Sequence, residues 1–122
     1  MKHILLIDDE ELVVKSLEKL LKNQGYSVTS VRDGASGVQK ATTEDFDLII
    51  TDIRMPGLNG IEAIAKIREA RKTKGKPLIP EICITGYAED EVNKKAEELK
   101  VADYIYKPFD LRSFLDCVKK YV

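Results

Sequence analysis

The sequence is poor in the residues that build metal modules and oxidised scaffolds. It has no tryptophan, one histidine and two cysteines among 122 residues. Cys83 and Cys117 have no metal-ligand spacing, so we expect two reduced thiols inside a core and a cytoplasmic protein. The single histidine, His3, precedes the first predicted strand, and no catalytic or ligand role is expected for it. A zinc module and histidine-based catalysis are thus disfavoured.

An excess of charge of one sign is also missing. The chain has 20 basic and 21 acidic residues and a formal net charge of −1. This balance gives no electrostatic basis for binding nucleic acid or a membrane surface. No apolar run approaches the length of a membrane span, and we expect no signal peptide. The length and the 43% hydrophobic content fit one globular domain, residues 1–122, with a single core.

Short apolar runs alternate with segments of helical spacing along the whole chain. The predicted strands are 4–7, 26–31, 47–52, 79–84 and 102–106. The predicted helices start at residues 8–11, after 33–34, after the cap Asn59, around Val92, Ala96 and Leu99, and at about Asp110. Three of the strands are nearly all apolar, which is typical of a parallel sheet covered on both faces. The alternating strand 26–31 is expected at an edge, and the basic stretch 71–77 as a solvated turn.

Polar residues follow four of these strands at the point where each strand ends. Asp8-Asp9 follow the first strand and Asp52 ends the third. Thr85 follows the fourth strand, and Lys107-Pro108-Phe109 follows the fifth. Parallel strands bring their carboxyl ends to one edge of the sheet, where open α/β sheets bind ligands. The four positions are therefore expected to meet.

The residue types at this edge suit a hard cation and a phosphoryl group. Clustered carboxylates repel one another unless they hold a cation, and Mg²⁺ prefers oxygen ligands. Asp8, Asp9 and Asp52 offer carboxylates, while Lys107 and Thr85 offer a positive charge and a hydroxyl donor to a phosphoryl group. Taken singly, the same residues could be only helix caps and turn formers. Their joint occurrence at the strand ends favours phosphoryl transfer with a carboxylate nucleophile.

The stretches LLIDDE, DLIITDIRMPGLNG, ICITGYA and ADYIYKPF resemble the receiver domain of a two-component response regulator. The resemblance covers the whole chain. It implies a flavodoxin-like (βα)5 fold, a doubly wound parallel sheet with strand order 2-1-3-4-5. It further implies that Asp52 accepts a phosphoryl group from a histidine kinase or a histidine phosphotransfer protein in a phosphorelay. The chain would then be no enzyme acting on other substrates, since it would promote only its own phosphoryl transfer and dephosphorylation.

The resemblance also assigns roles to the residues around Asp52. Asp9 would bind Mg²⁺ directly and Asp8 through water, with Asp52 and the backbone carbonyl of Arg54 as further ligands; Mn²⁺ could replace Mg²⁺. Lys107 and Thr85 would contact the phosphoryl group. The Lys107-Pro108 peptide bond matches one that is often cis in this family.

Other positions would govern switching and lifetime. Thr85 and Tyr104 would form the switch pair and change a partner surface made by the fourth helix, fifth strand and fifth helix. Arg54 and Tyr87 flank the site and, being bulky, would shield the phosphoryl group and lengthen its lifetime. The sequence after Phe109 lacks the charge pattern that similar winged-helix regulators use to dimerise.

Three alternatives remain open from the residues alone. A haloacid-dehalogenase-like phosphatase also forms an aspartyl-phosphate, but it needs a second Asp where this chain has Arg54. A flavodoxin-type flavin module needs a first loop that attracts phosphate, and Asp8-Asp9-Glu10-Glu11 would repel it. A receiver that binds proteins without phosphorylation would not need the full set of acidic, Thr and Lys residues. The chain ends with the fifth helix, so we expect either a stand-alone regulator or the receiver of a longer protein.

Overall fold

The computed structural model describes residues 1–86 and 91–122, with the backbone alone for residues 91–93 and 96. The strands are β1 (His3–Ile7), β2 (Ser27–Val31), β3 (Leu48–Asp52), β4 (Glu81–Thr85) and β5 (Asp103–Tyr106). The helices are α1 (Glu11–Asn23), α2 (Gly34–Thr43), α3 (Gly60–Thr73), α4 (Glu91–Leu99) and α5 (Leu111–Lys119). No helix within these ranges is long and apolar enough to cross a bilayer.

All neighbouring strands pair in parallel, in the order β2-β1-β3-β4-β5. The predicted doubly wound fold and its strand order are confirmed. Register aligns the strand ends, because Ile7 pairs with Thr51 and Asp52 pairs with Ile84. The loops that follow β1, β3, β4 and β5 therefore open on one edge of the sheet.

Alternation along β1 explains the two layers of helices. Ile4 and Leu6 face a core that includes α1 and α5, while Leu5 and Ile7 face a second core with α2 and α3. Strands β1, β3 and β4 are buried almost throughout, as expected for central parallel strands. The residues of β2 are all half-buried, which confirms the predicted edge position. Cys83 and Cys117 are buried free thiols, also as predicted.

Several element boundaries differ from the sequence prediction. Helix α1 begins at Glu11, so the acidic pair Asp8-Asp9 lies in the preceding loop. His3 lies inside β1, and β4 begins at Glu81 because Pro80 has no N–H for the strand ladder. Strand β5 begins one residue later than predicted, at Asp103. The side chains of Val92 and Ala96, on which the fourth helix was predicted, lie outside the described residues.

The prediction of a solvated basic turn at 71–77 is wrong over residues 71–73, which are helical, and Arg71 is not solvated. Helix α3 continues to Thr73, and Arg71 is buried. Its guanidinium donates from Nε to the carbonyl of Pro77 at 2.8 Å and from Nη1 to the carbonyl of Ala41 at 3.1 Å. A run of like charges normally indicates solvent exposure, but these carbonyl acceptors compensate for the burial.

Candidate functional site

Asp52 ends β3 inside the edge where the strand ends meet. It is 4% exposed, and Lys107 Nζ donates to its Oδ2 at 3.0 Å. Lys107 follows β5, two strands away, and its backbone N–H donates to the carbonyl of Thr85 at 2.7 Å. Thr85 is buried at the end of β4, one residue beyond the partner of Asp52 in the ladder. The sheet therefore brings Asp52, Thr85 and Lys107 together, as the sequence predicted.

The start of α3 packs directly on the backbone of Asp52. The N–H of Gly60 donates to the carbonyl of Ile53 at 2.8 Å. A Cβ at position 60 would overlap the carbonyl oxygen of Asp52, so only glycine fits there. Asn59 caps the helix in a capping box with Glu62. The residues after β3 thus hold the end of that strand in place. On the other side of the site, the Lys107-Pro108 bond is cis, as the resemblance implied.

The acidic pair after β1 splits into a buried and an exposed residue. Asp8 is fully buried, and its Oδ1 accepts the backbone N–H of Glu10 at 3.0 Å. Its Oδ2 is buried and finds no hydrogen-bond partner among the described residues. Asp9 is exposed and lines the same open cleft as Glu10, Asp52 and Lys107. The loop after β1 therefore places one buried carboxylate, Asp8, and one exposed carboxylate, Asp9, near Asp52.

Burial dominates the electrostatics of this group. Desolvation, with the nearby charge of Asp52, raises the pKa of Asp8 to about 6. Burial also raises the pKa of Asp52, although its hydrogen bond to Lys107 works in the opposite direction. Burial alone would lower the pKa of Lys107, but the hydrogen bond and charge of Asp52 outweigh it and raise that pKa. The site thus holds excess negative charge at neutral pH and favours a bound cation.

Of the two residues predicted to lengthen the lifetime of the phosphoryl group, Arg54 lies within the described part of the chain. Arg54 is exposed and lines the cleft together with Gly86, and its backbone contributes a hydrogen bond to Asp52. Use of its carbonyl as a metal ligand stays a prediction. Tyr87 lies outside the described residues.

Tyr104, the predicted switch residue, is half-buried on β5. Its ring packs against a small core that contains Ile53, Ile64 and Cys83. Burial raises the pKa of the hydroxyl to about 12, and that hydroxyl has no hydrogen-bond partner among the described residues. The ring stacks with that of Tyr106 at a centroid distance of 6.3 Å. Within the described part of the chain, the Tyr104 ring is therefore packed while its hydroxyl makes no hydrogen bond.

Sequence reasoning missed Glu10, which it treated only as part of the acidic start of α1. One oxygen each from Asp8, Glu10 and Asp52 lies within 4.8 Å of the others. Glu10 Oε1 also lies 3.7 Å from Lys107 Nζ. The only sequence signal was its place next to the acidic pair.

The donor set fits a magnesium ion. The chain supplies several carboxylate oxygens, and a positive ligand would offset the desolvation of Asp8 Oδ2, which has no partner in the described part of the chain. Mg²⁺ binds such sites through one or two carboxylates and keeps several waters. The open cleft beside Asp52 leaves room for those waters.

Comparison with known proteins agrees with this geometry. A family model described as the response regulator receiver domain matches residues 4–119. The response regulator ArlR of Staphylococcus aureus (strain Mu50) is 35% identical over 115 residues, which are 94% of this chain and 50% of that protein. The chain thus spans about half the length of the curated relatives it matches.

Solved structures extend the similarity to whole domains. The receiver domain of the sensor histidine kinase PA1611 from Pseudomonas aeruginosa, with magnesium coordinated in its active-site cleft, is 28% identical, with a TM-score of 0.84. The match covers 98% of this chain and 96% of that one. The response regulator TrrA from Thermotoga maritima, in complex with Mg²⁺ and BeF, is 29% identical over the full length of both chains, also with a TM-score of 0.84.

Proposed function

This chain belongs to the response regulator receiver domain family of two-component signal transduction, and we propose that its Asp52 is the phosphoacceptor. The phosphoryl donor is the phosphohistidine of a histidine kinase or a histidine phosphotransfer protein. The observation that carries the proposal is the 3.0 Å ion pair of buried Asp52 with Lys107, close to Asp8, whose Oδ2 has no partner among the described residues. A nucleophile, a fixed cation and a place for a divalent cation then adjoin one another.

In the reaction, a carboxylate oxygen of Asp52 attacks the phosphorus atom of the phosphohistidine. The P–O bond forms while the P–N bond breaks, and its electron pair returns to the imidazole nitrogen. Lys107 moves from Asp52 to a phosphoryl oxygen, and the Thr85 hydroxyl donates to another. Positioning and charge neutralisation supply most of the rate in such transfers. The chain promotes its own phosphorylation and dephosphorylation and acts on no other substrate.

Asp8, Asp9 and Asp52 are the residues that would hold the metal, together with the backbone carbonyl of Arg54. Asp9 would be the direct ligand and Asp8 would act through water, in keeping with the exposure of one and the burial of the other. Mg²⁺, or Mn²⁺ in its place, would supply charge neutralisation at the phosphoryl oxygens. The N–H of Glu10 occupies only Oδ1 of Asp8, so Oδ2, which has no partner among the described residues, would remain for this role.

A phosphatase of the haloacid-dehalogenase type has less support. Such an enzyme needs a general acid two residues after the nucleophile, and Arg54 stays protonated at any physiological pH. A flavin site is disfavoured by the carboxylates of Asp8, Asp9 and Glu10 in the loop that would have to bind a phosphate.

The output surface is formed by α4, β5 and α5. Tyr106 and Leu111 on this surface are 47% and 49% exposed, and such apolar side chains suit a protein partner or an effector domain. Phosphorylation would draw Thr85 toward Asp52 and change the packing of Tyr104. Structures with and without a phosphoryl mimic should differ in the position of the Tyr104 ring, and identical structures would refute the coupling.

Arg54 lies at the mouth of the cleft, and Tyr87 follows Gly86 in the sequence. We expect Arg54 and Tyr87 to obstruct the water that hydrolyses the aspartyl-phosphate, since neither side chain is a base at neutral pH. Phosphorylated Arg54→Asn and Tyr87→Ala should lose phosphate faster than the unchanged chain. Slower loss in both variants would contradict the shielding role.

The decisive experiment labels the protein with acetyl phosphate and Mg²⁺ and measures the mass of the intact chain. Asp52→Asn should abolish the added phosphoryl group, because it removes the nucleophile. Asp116→Asn is the matched control, since Asp116 is exposed on α5, and this variant should label normally. Full labelling of Asp52→Asn with an acid-stable phosphate would reject the proposal.

A further inference from the structure

We propose that Glu10 is a third carboxylate of the cation site, one that strengthens metal binding and opposes the incoming phosphoryl group. The inference rests on the proposed function, because it concerns the same cleft. It adds a residue that the acidic pair and the phosphoacceptor do not include. Its first consequence, metal affinity, needs no phosphoryl transfer and is measurable separately.

The position of Glu10 in α1 leaves its side chain available. Glu10 is the N-cap residue of that helix, yet it makes no side-chain capping bond among the described residues. The side-chain oxygen of an N-cap residue usually accepts a hydrogen bond from one of the first backbone N–H groups of the helix. Here the backbone carbonyl of Glu10 accepts from Val14 at 3.0 Å, while the carboxylate lies 3.7 Å from Lys107 Nζ. The side chain therefore faces the cleft.

Asp8 gives an independent indication that this cleft takes a cation. It is fully buried, and its Oδ2 has no partner among the described residues although it belongs to a strongly acidic group. Its other oxygen is held by the N–H of Glu10 itself, so the two residues are fixed relative to each other. A buried carboxylate oxygen without a donor is stabilised by a positive ligand.

The distances suit one shared ion. Oxygens of Asp8, Glu10 and Asp52 lie within 4.8 Å of one another. Octahedral Mg²⁺ at its usual bond length places ligand oxygens roughly 3 to 4 Å apart, directly or with water in some positions. The Glu10 side chain is 60% exposed and long, so it can close the remaining gap. Asp52 is the last residue of buried β3, and Asp8 is a buried residue that directly follows β1.

The charge of Glu10 has two opposite effects. It attracts a divalent cation to a site that also contains Asp8, Asp9 and Asp52. It repels a phosphodonor dianion, and it competes with the phosphoryl oxygens for Lys107. A residue with only a structural role in α1 would not change metal affinity and phosphorylation rate in opposite directions. Loss of the Glu10 charge should therefore lower metal affinity and raise the phosphorylation rate, and this combination identifies the proposed role.

The test compares Glu10→Gln with Glu11→Gln. Both remove one negative charge from adjacent residues, but Glu11 pairs with Lys15 and Arg32 and is not a member of the acidic group. Mn²⁺ binding, measured by electron paramagnetic resonance without a phosphodonor, should weaken about two- to fivefold more in Glu10→Gln, the range of an exposed charge interaction. At saturating Mg²⁺, the same variant should be labelled by acetyl phosphate faster than Glu11→Gln.

Each outcome is decisive. Equal Mn²⁺ affinities in the two variants would overturn the proposal, and so would slower labelling of Glu10→Gln at saturating Mg²⁺. Neither result would affect the assignment of Asp52, which depends on the labelling of Asp52→Asn. Conversely, labelling of Asp52→Asn would reject the phosphoacceptor and leave the metal comparison intact. Thermal unfolding of both variants should match, which excludes loss of fold as the cause.

Discussion

The two ends of the sheet treat buried charge in opposite ways. At the amino end of β4, Glu81 is 3% exposed and receives two hydrogen bonds from Arg68, from Nε at 2.9 Å and from Nη2 at 2.7 Å. At the carboxyl ends of β1 and β3, Asp8 and Asp52 share the neighbourhood of one lysine, and Asp8 keeps an unpartnered oxygen. Within the described residues, the charge of Glu81 is paired by Arg68, whereas the two carboxylates at the other end have only Lys107 nearby.

Arg68 supports the stability of the fold at the amino end, on the opposite side of the sheet from the candidate site. Arg68 also donates to the carbonyl of Leu99, so it joins α3, β4 and the end of α4. A buried ion pair with all its hydrogen bonds made is costly to break but adds little over an apolar pair. The raised pKa values of Asp8 and Asp52 lead us to expect that the acidic group at the opposite end lowers stability when no cation is bound.

Arg68→Ala should be the most damaging change. It leaves Glu81 buried without its cation, and we expect the free energy of unfolding to fall by about 3 kcal/mol. Chemical denaturation of this variant beside Lys72→Ala, an exposed residue of the same helix, measures the effect. An equally small loss of unfolding free energy in both variants would show that the stability of the protein does not depend on the Arg68–Glu81 ion pair.

Asp8→Asn should stabilise the protein at pH 7 by about 1–2 kcal/mol, since it removes a buried charge. The folded pKa of Asp8, about 6, lies above the ordinary value of 3.8. The folded state therefore binds a proton that the unfolded state lacks between these values, and the stability of the unchanged protein falls as pH rises through this window. The gain from Asp8→Asn should be large at pH 7 and small at pH 4, by denaturation at both pH values. A pH-independent gain would contradict the burial effect.

Binding of Mg²⁺ should offset the loss of stability that the buried charge of Asp8 causes at the carboxyl end of the sheet. At tenfold excess over its dissociation constant, a ligand of the folded state adds about 1.4 kcal/mol to the free energy of unfolding. We expect this rise in the unchanged protein and its loss in Asp8→Asn. Thermal unfolding with and without Mg²⁺ provides the comparison. The same rise in both proteins would place the cation elsewhere.

Tyr104→Phe should have the smallest effect. Its hydroxyl is buried without a partner among the described residues, so its removal should change stability by less than about 0.5 kcal/mol or increase it. Tyr121→Phe is the control, since the Tyr121 hydroxyl donates to the carbonyl of Ala102 at 2.9 Å and lies 3.0 Å from Asp103 Oδ2. The control should lose about 0.5–1 kcal/mol. A larger loss in Tyr104→Phe than in the control would reveal a bonded hydroxyl.

Strand-end residues could be placed from the sequence because their positions follow from local pattern. Apolar runs locate β1, β3 and β4, and parallel pairing then brings Asp8, Asp52 and Thr85 to one edge. The pairing of Arg68 with Glu81 could not be predicted, since it joins a helix to a strand and has no sequence pattern. Arg71 was predicted to be exposed because a run of basic residues normally indicates a solvent-exposed segment, but it is buried. Hydrophobic periodicity predicts helices and strands, but it does not predict which individual side chains contact one another in the folded chain.

The missing cap of α1 has a consequence for amide exchange. Helices α2, α3 and α5 are capped by the side chains of Asp33, Asn59 and Asp110, which accept backbone N–H groups. The N-cap of α1 is Glu10, whose side chain makes no such bond among the described residues. The first-turn amides of α1 should exchange with deuterium faster than those of α3. Local opening at that turn would cost little free energy. The exposed side chains of Asp9 and Glu10 could then adjust as a ligand binds, while β1 stays paired within the sheet.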